Sequence, residues 1–314
     1  MRHKAKSVTG WSKGMLLLIA LTVGSGVTAV NEQPAAAAAA ASRDAQAVYN
    51  QFQKYIRIPS SLVQARNYLI NHIDEAGSWY ATVMTLQLEN AQKAELERFS
   101  EKIYPEKVQN AIEASAANNG LTYTGLLRGI QDTQIRRLIQ ETWDKGYKLE
   151  SSEGMYYPVL HYEGFKVFRP YVGKDISSYI DIMAAESNQP SEYDAGIVIT
   201  WDELIGRTAV MSDFVQDYPK SNRTAAIRQE LQYSAVKMFY GSDNTPAYDP
   251  QTQALDPELR RAYEDVLLEG PGNNGIFGIL HKLMPLLDAS GNILTPEVSE
   301  YLKEELAPYT EIYN

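Results

Sequence analysis

FVQDYPKSNRTAAIRQELQYSAVKMFYG, residues 214–241, carries the clearest architectural information in this chain. A helix is expected to end at Tyr218. Pro219 cannot continue it, and Ser221 is placed to cap the next. An aromatic-Pro-x-Ser corner of this kind is frequent in tetratricopeptide-like helical hairpins. AYEDVLLEGPGNN, residues 262–274, echoes it more weakly, at no fixed period. Asp256-Pro257 and Thr295-Pro296 are two further cap-then-proline helix starts.

Upstream, Thr200-Trp201-Asp202-Glu203 reads as a capping box. The Thr hydroxyl would accept from the Glu203 amide, and the Glu203 carboxylate would reach back. Trp201, Leu204, Ile205, Thr208, Met211, Phe214 and Val215 then follow one helical stripe, which points to burial. GIVIT, residues 196–200, fits either a short strand or the first turns of that helix. DISSYIDIMAAES, residues 175–187, is amphipathic at helical spacing.

The first half reads the same way. SSLVQARNYLINHI follows a Ser60/Ser61 cap, and YATVMTLQLENAQKAELERFSEKI continues without Pro or Gly. Pro105 marks a break, EKVQNAIEASA starts again, and Asn118-Asn119-Gly120 stops it. LTYTGLLRGIQDTQIRRLIQETWDKG adds one or two helices ending at Gly146. The expected fold is all-α. It consists of helical hairpins, tetratricopeptide-like in the C-terminal half, arranged as an N-terminal lobe (42–147) and a C-terminal lobe (173–314).

Between the lobes lies an irregular aromatic joint, 148–172. Its core is KLESSEGMYYPVLHYEGFKVF, residues 148–168, with three tyrosines and two phenylalanines. Two readings compete for it. Tyr156, Tyr157, Tyr162 and Phe165 plug the junction of two helical layers, with Glu153 capping or pairing locally. Alternatively, they line a groove and stack on an extended polymer such as a wall glycan or a peptide. GSDNTPAYDP, residues 241–250, has the same ambiguity. Gly241 and the Asx-rich composition fit a helix terminator and turn, while Asp243 and Asn244 are the residues a ligand loop would use. Glu153, Tyr156, Tyr157, Tyr162, Asp243 and Asn244 are therefore the candidate binding residues.

Composition sets the limits. The chain has 314 residues, 44% of them hydrophobic, and no cysteine. Disulfides, thiolate-bound metals, thiol nucleophiles and a lipidated Cys are thereby excluded. Arg2, Lys4, Lys6 and Lys13 precede an apolar run at 15–30, broken by Gly24, Ser25 and Gly26. That run is shorter than the ~20 residues a spanning helix needs. NEQPAAAAAAAS then offers A-x-A cleavage frames. Residues 1–41 read as a secretory signal peptide, cleaved between about Ala37 and Ala41, and a disordered Ala-rich tether. An uncleaved anchor is the alternative. Export without cysteine fits a Gram-positive cell surface. Loss of residues 1–37, with four Lys/Arg and one acid, takes the net charge from −10 to −13. Such a chain is a poor match for nucleic acid or for an anionic membrane.

Catalytic and metal signatures are weak. Of four histidines, no two stand at metal-ligand spacing, and zinc needs clustered N or S ligands. His72 and Glu75 share a helix face, as many surface pairs do. Asp288, Ser290 and Asn292 begin an EF-hand-like run, but Ile293 stands where Gly is required. No G-x-S-x-G elbow, S-x-x-K set or phosphate loop is present. No catalytic residue, cofactor or metal is predicted.

YATVMTLQLENAQKAELE, GYKLESSEGMYYPVLHYEGFK, DISSYIDIMAAESN, WDELIGR, FVQDYPKSN and GSDNTPAYD resemble, in that order, a family of uncharacterised exported proteins of Gram-positive spore-forming bacteria. The resemblance covers roughly residues 75–250. It implies export and carries over no activity, cofactor or catalytic residue. The family pattern has an acid after the aromatic-Pro-Val segment; this chain has His161 there, so no role transfers to that position. The expected function is a secreted or envelope-associated, non-enzymatic helical interaction or scaffold protein. Its partner would be another envelope protein or a wall polymer, with no nucleic acid and no membrane after signal cleavage. A hydrolase of the cell wall or a secreted polymer, with Glu153 as its acid, is the runner-up. An extracytoplasmic small-ligand-binding protein is the third reading.

Overall fold

The computed structural model describes residues 33–270 and 275–310. Contacts divide the chain into residues 1–39 and a unit of residues 40–314, and the architecture below is that of the second. The apolar run and its basic head lie outside the described residues. Helix α1, Gln33–Ile56, includes the alanine tract, as the high helix propensity of alanine favours.

The fold is predominantly helical, as the periodicity predicts. After α1 come α2 (Leu62–His72), α3 (Gly77–Ser100), α4 (Glu106–Asn119), α5 (Tyr123–Gly129) and α6 (Thr133–Asp144). A hairpin of β1 (Tyr147–Ser152) and β2 (Met155–Leu160) follows, then a 3-10 helix, Tyr162–Phe168, and α7 (Lys174–Asn188). The two-residue strands β3 (Glu192–Tyr193) and β4 (Gly196–Ile197) precede α8 (Trp201–Asp217) and α9 (Thr224–Tyr240). A second short hairpin, β5 (Gly241–Ser242) and β6 (Thr245–Pro246), leads to α10 (Pro257–Leu268), α11 (Gly275–Ser290), α12 (Pro296–Glu305) and α13 (Ala307–Thr310). No helix among the described residues is long and apolar enough to cross a membrane.

Several caps behave as the sequence demands. Thr200, Asp256 and Thr295 accept from the amides of their own first turns. Gly120 and Gly241 end α4 and α9 at positive φ, 74° and 77°, where glycine carries no Cβ penalty. Two expected caps fail. Ser60 and Ser61 lie in a 3-10 turn that gives α2 no side-chain cap. Ser221 accepts weakly from the Arg223 amide and donates to Asp175 Oδ2 at 2.7 Å, so α9 starts two residues later without a side-chain cap. The capping box at α8 is half made. Glu203 turns outward to Arg207, 2.8 Å away, an ion pair that competes with the reach back to Thr200.

The aromatic segment is not irregular. Tyr147 pairs with Leu160 and Leu149 with Pro158, through to Ser152 with Met155. Glu153 and Gly154 form the two-residue turn, with φ of 50° and 78°. Two positive-φ residues in a row make the turn whose twist matches a right-handed hairpin. Tyr147, Leu149, Pro158 and Leu160 are buried on one face. Strand alternation then separates the adjacent tyrosines. Tyr156 continues the buried face and packs on the core, whereas Tyr157 stands beside Glu150 on the other. Gln109 on α4 fixes the edge of β2, accepting from the Tyr156 amide at 2.8 Å and donating to its carbonyl at 2.9 Å.

Two apolar clusters form the interior. The first gathers α1 to α7, including Tyr147, Tyr162, Phe165 and Phe168, with Met211, Phe214, Ile227 and Leu231. The second gathers Trp201, Leu204 and Ile205 with Ala235, Met238, Phe239 and the helices after them. Each of α8 and α9 thus serves one cluster with one end and the other cluster with its other end. Residues 214–241 tie the two interiors together. Between the ends, Thr208 and Ser234 hydroxyls are 2.6 Å apart, satisfying each other where the two helices pack.

Candidate functional site

At the base of the β1–β2 hairpin, α5 and α6 leave a cleft of about 270 Å³. Its wall is a row of rings. Tyr123 stacks on Trp143 with centroids 5.0 Å apart and planes 18° apart. The His161 ring follows at 5.3 Å and 41°. Leu121, Leu126, Ile139 and Leu149 supply apolar lining, with Tyr147 fully buried beneath.

Local sequence explains the positions. Asp132 caps α6 by accepting from Gln134 and Ile135. The helix then turns Ile135, Ile139 and Thr142 inward and leaves Trp143 at the edge, 38% exposed. Tyr123 is pinned by donating to Gln140. His161 ends the hairpin, its amide donating to Gly146 O at 3.0 Å. Burial first, then the charges of Lys148 and Arg66, push the His161 imidazole below its ordinary value and favour the neutral ring. Lys148 is engaged by Glu150 at 2.8 Å and by the Ser187 carbonyl. Thr122 accepts from Gly125 N and Thr142 donates to Leu138 O, so each hydroxyl keeps hydrogen-bonding capacity toward the cleft. No carboxylate and no serine lines this cleft. The lining thus offers ring faces, a polar rim and the His161 imidazole on one side of the cleft.

A second polar constellation is closed. Glu89 on α3 is 2% exposed and accepts from Tyr162 OH at 2.8 Å, from Tyr179 OH, and from Arg223 at 2.6 and 3.0 Å. Lys93 adds an ion pair at 2.8 Å. Burial alone would raise the Glu89 carboxyl. The hydrogen bonds of Lys93 and Tyr179 and the Arg223 charge outweigh it and hold the group below the usual range. Burial, with Tyr179 and Glu89 beside it, pushes the Tyr162 phenol far up. Every strong contact of this carboxylate is internal, so the network fastens α3, the 3-10 helix, α7 and the start of α9.

The candidate residues separate accordingly. Tyr162 is a core residue of that network, and Tyr156 packs half-buried against the same core. Tyr157 is half-buried on the outer face of the hairpin. Its phenol is raised by burial, then by Glu150 and Tyr193. Glu153 is exposed in the turn. Asn244 is structural: its amide donates to Ala195 O at 2.8 Å and its side chain to Asp194 O at 2.6 Å, joining two hairpin turns. Asp243 is exposed beside it, on the rim of a different cleft. Asp202 pairs with Arg261 at 2.9 Å. No hydrogen bond or ion pair among the described residues joins Glu153, Asp202 and Asp243. His72 and Glu75 meet on the surface at 2.8 Å, and no group of three His, Cys, Asp or Glu among the described residues is placed to hold a metal ion.

Sequence reading missed Tyr123 and Trp143, which sit in a segment recognised only as helical. The available sign was Trp143 at the end of the Ile135–Ile139 stripe, one position off its buried face. Comparison with family models, with curated proteins and with solved structures gives no match, so no family is shown for this chain.

Proposed function

We propose that this chain is an exported, envelope-associated, non-enzymatic interaction protein that holds a glycan of the cell wall in the Tyr123–Trp143–His161 cleft. One observation supports the reading above the others: an aromatic wall meets a polar rim without any carboxylate in the cleft. The C–H faces of a sugar ring pack on aromatic rings, and its hydroxyls suit the Thr122, Thr142 and neutral His161 groups. About 270 Å³ is just below the ~300–1,000 Å³ of typical ligand clefts, which suits a short stretch of chain. The resemblance to exported proteins of Gram-positive spore formers and the signal-like N-terminus agree with such a location. In this reading the two apolar clusters are the cores of two lobes, and α8–α9 is a tetratricopeptide-like hairpin shared between them. Retention of the purified chain on isolated wall glycan tests the proposal. Trp143→Ala is expected to keep the parent melting temperature within a few degrees and to lose retention. Retention equal to the parent would refute it.

A further inference from the structure

Glu230 is half-buried on α9 and makes no hydrogen bond or ion pair with any described residue. Every other buried or half-buried carboxylate among the described residues is engaged. Glu89 and Glu95 hold cations, Asp132 and Asp256 cap helices, Glu186 holds Arg207, and Glu192 holds Lys237. Lys237 and Lys93 act on Glu230 only through space, and a half-buried charge without a direct protein partner loses hydration and regains little of it. It is the kind of group that a ligand repays.

The surroundings fit that role. Glu230, Tyr233 and Lys237 stand at i, i+3 and i+7, on one face of α9. They are shared by two adjoining clefts. One of about 80 Å³ reaches α7 and α8, where Glu186 and Arg207 line it. The other, of about 310 Å³, opens toward the short hairpins, with Glu192, Ser242 and Asp243. The cations of these walls are already matched. Arg207 lies 3.0 Å from Glu186 and 2.8 Å from Glu203, and Lys237 lies 3.0 Å from Glu192. The uncommitted charge is negative: Glu230 within, and Asp243 at the lip. Burial and then Glu186 push the Glu230 carboxyl up from its ordinary value, against the weaker opposing charges of Lys237 and of Lys93 on α3.

We infer that this cleft binds a primary ammonium group, with Glu230 as its counter-charge and Asp243 guiding entry. A hard divalent cation requires six to eight oxygen ligands, and the two uncommitted carboxylates, Glu230 and Asp243, with Ser242 fall short, since Glu186 and Glu192 already hold Arg207 and Lys237. A primary ammonium carries three donors on a small head, which one carboxylate and neighbouring oxygens satisfy. The ligand class is therefore an alkylamine or a peptide with a free amino group. This site is separate from the aromatic cleft and stands whether or not that cleft takes a glycan.

Isothermal titration of the purified chain with 1,5-diaminopentane tests it, with tetramethylammonium, hexane-1,6-diol and calcium as comparators. The diamine is expected to bind best. Its affinity should fall about tenfold or more as pH drops through the titration of Glu230, because protonation removes the counter-charge. Glu230→Gln should lose about tenfold or more at neutral pH and melt no lower than the parent, since an unpartnered half-buried charge has been removed. Asp243→Asn should lose less, and Trp143→Ala should lose nothing. Absence of diamine binding by the parent, equal binding by Glu230→Gln, or tighter binding of calcium or of the diol would overturn the inference. A Glu230→Gln variant melting well below the parent would do so too, because the carboxylate would then be holding the fold.

Discussion

Glu89→Gln is the sharpest test of how α3 is held to α7 and to the start of α9. The carboxylate is 2% exposed and bonded by two tyrosine hydroxyls, by Arg223 through two nitrogens, and by Lys93. Glutamine keeps the shape and one acceptor oxygen. It removes the charge and turns an amide N–H toward Arg223 and Lys93, which can only donate, and toward two phenols that must reorient to accept. The Arg223 side chain is only 13% exposed, so water restores little of what it loses; Lys93, at 48%, recovers most. Breaking one partner of a buried pair costs about 3–5 kcal/mol, and relief through Lys93 favours the low end, about 3 kcal/mol. At about 2.1 cal/mol/K of unfolding entropy per residue, a chain of 314 residues would lose about 5 °C in Tm. The pH dependence follows from the sign of the shift. The folded pKa is depressed below 4.5, so the stabilisation is complete above the unfolded value and is lost as pH falls through the folded one. The difference between parent and variant should therefore be full at pH 7 and shrink below pH 4.5. Urea unfolding at pH 7 and in acid measures both. A variant that melts within a degree of the parent at pH 7, or a difference that grows in acid, would refute the reasoning.

Burial predicts that Tyr162→Ala, in the core, costs about 3–5 kcal/mol, and strand alternation that Tyr156→Ala costs about 2 kcal/mol and Tyr157→Ala about 1 kcal/mol or less; chemical denaturation of the three variants checks the order. Glu153→Asn, suited to positive φ, should raise stability by about 0.5 kcal/mol, and Glu153→Val should lower it by about 1–2 kcal/mol. Thermal melts read both. His161 has a folded pKa below the unfolded 6.5, so its contribution is present above that pH and is lost as the pH falls. His161→Asn should flatten that part of the stability–pH curve between about pH 6.5 and the onset of carboxylate titration.

Local chemistry was legible in the sequence. Proline, glycine and Asx placement gave the breaks at Pro105, Gly120, Pro219 and Gly241, and the caps at Thr200, Asp256 and Thr295, because these depend on residues within one turn. The helical stripes gave the all-α class for the same reason. Ser221 shows the limit: its hydroxyl suits a cap, yet Asp175, remote in sequence, takes it. The hairpin at 147–160 was half legible. Glu153-Gly154 is a weak turn signal and Pro158 argues against a strand, so the pairing shows only when the burial of Tyr147, Leu149, Pro158 and Leu160 on one face is known. Which aromatic rings meet was not legible at all. Tyr162 lies inside with Glu89, seventy-three residues away, whereas Trp143 and His161 form the wall of a cleft. Nor does the sequence reveal that Glu230, one acid among many, is half-buried among the described residues without a hydrogen bond or ion pair. Burial and charge pairing are properties of distant segments brought together, and only the tertiary structure decides them.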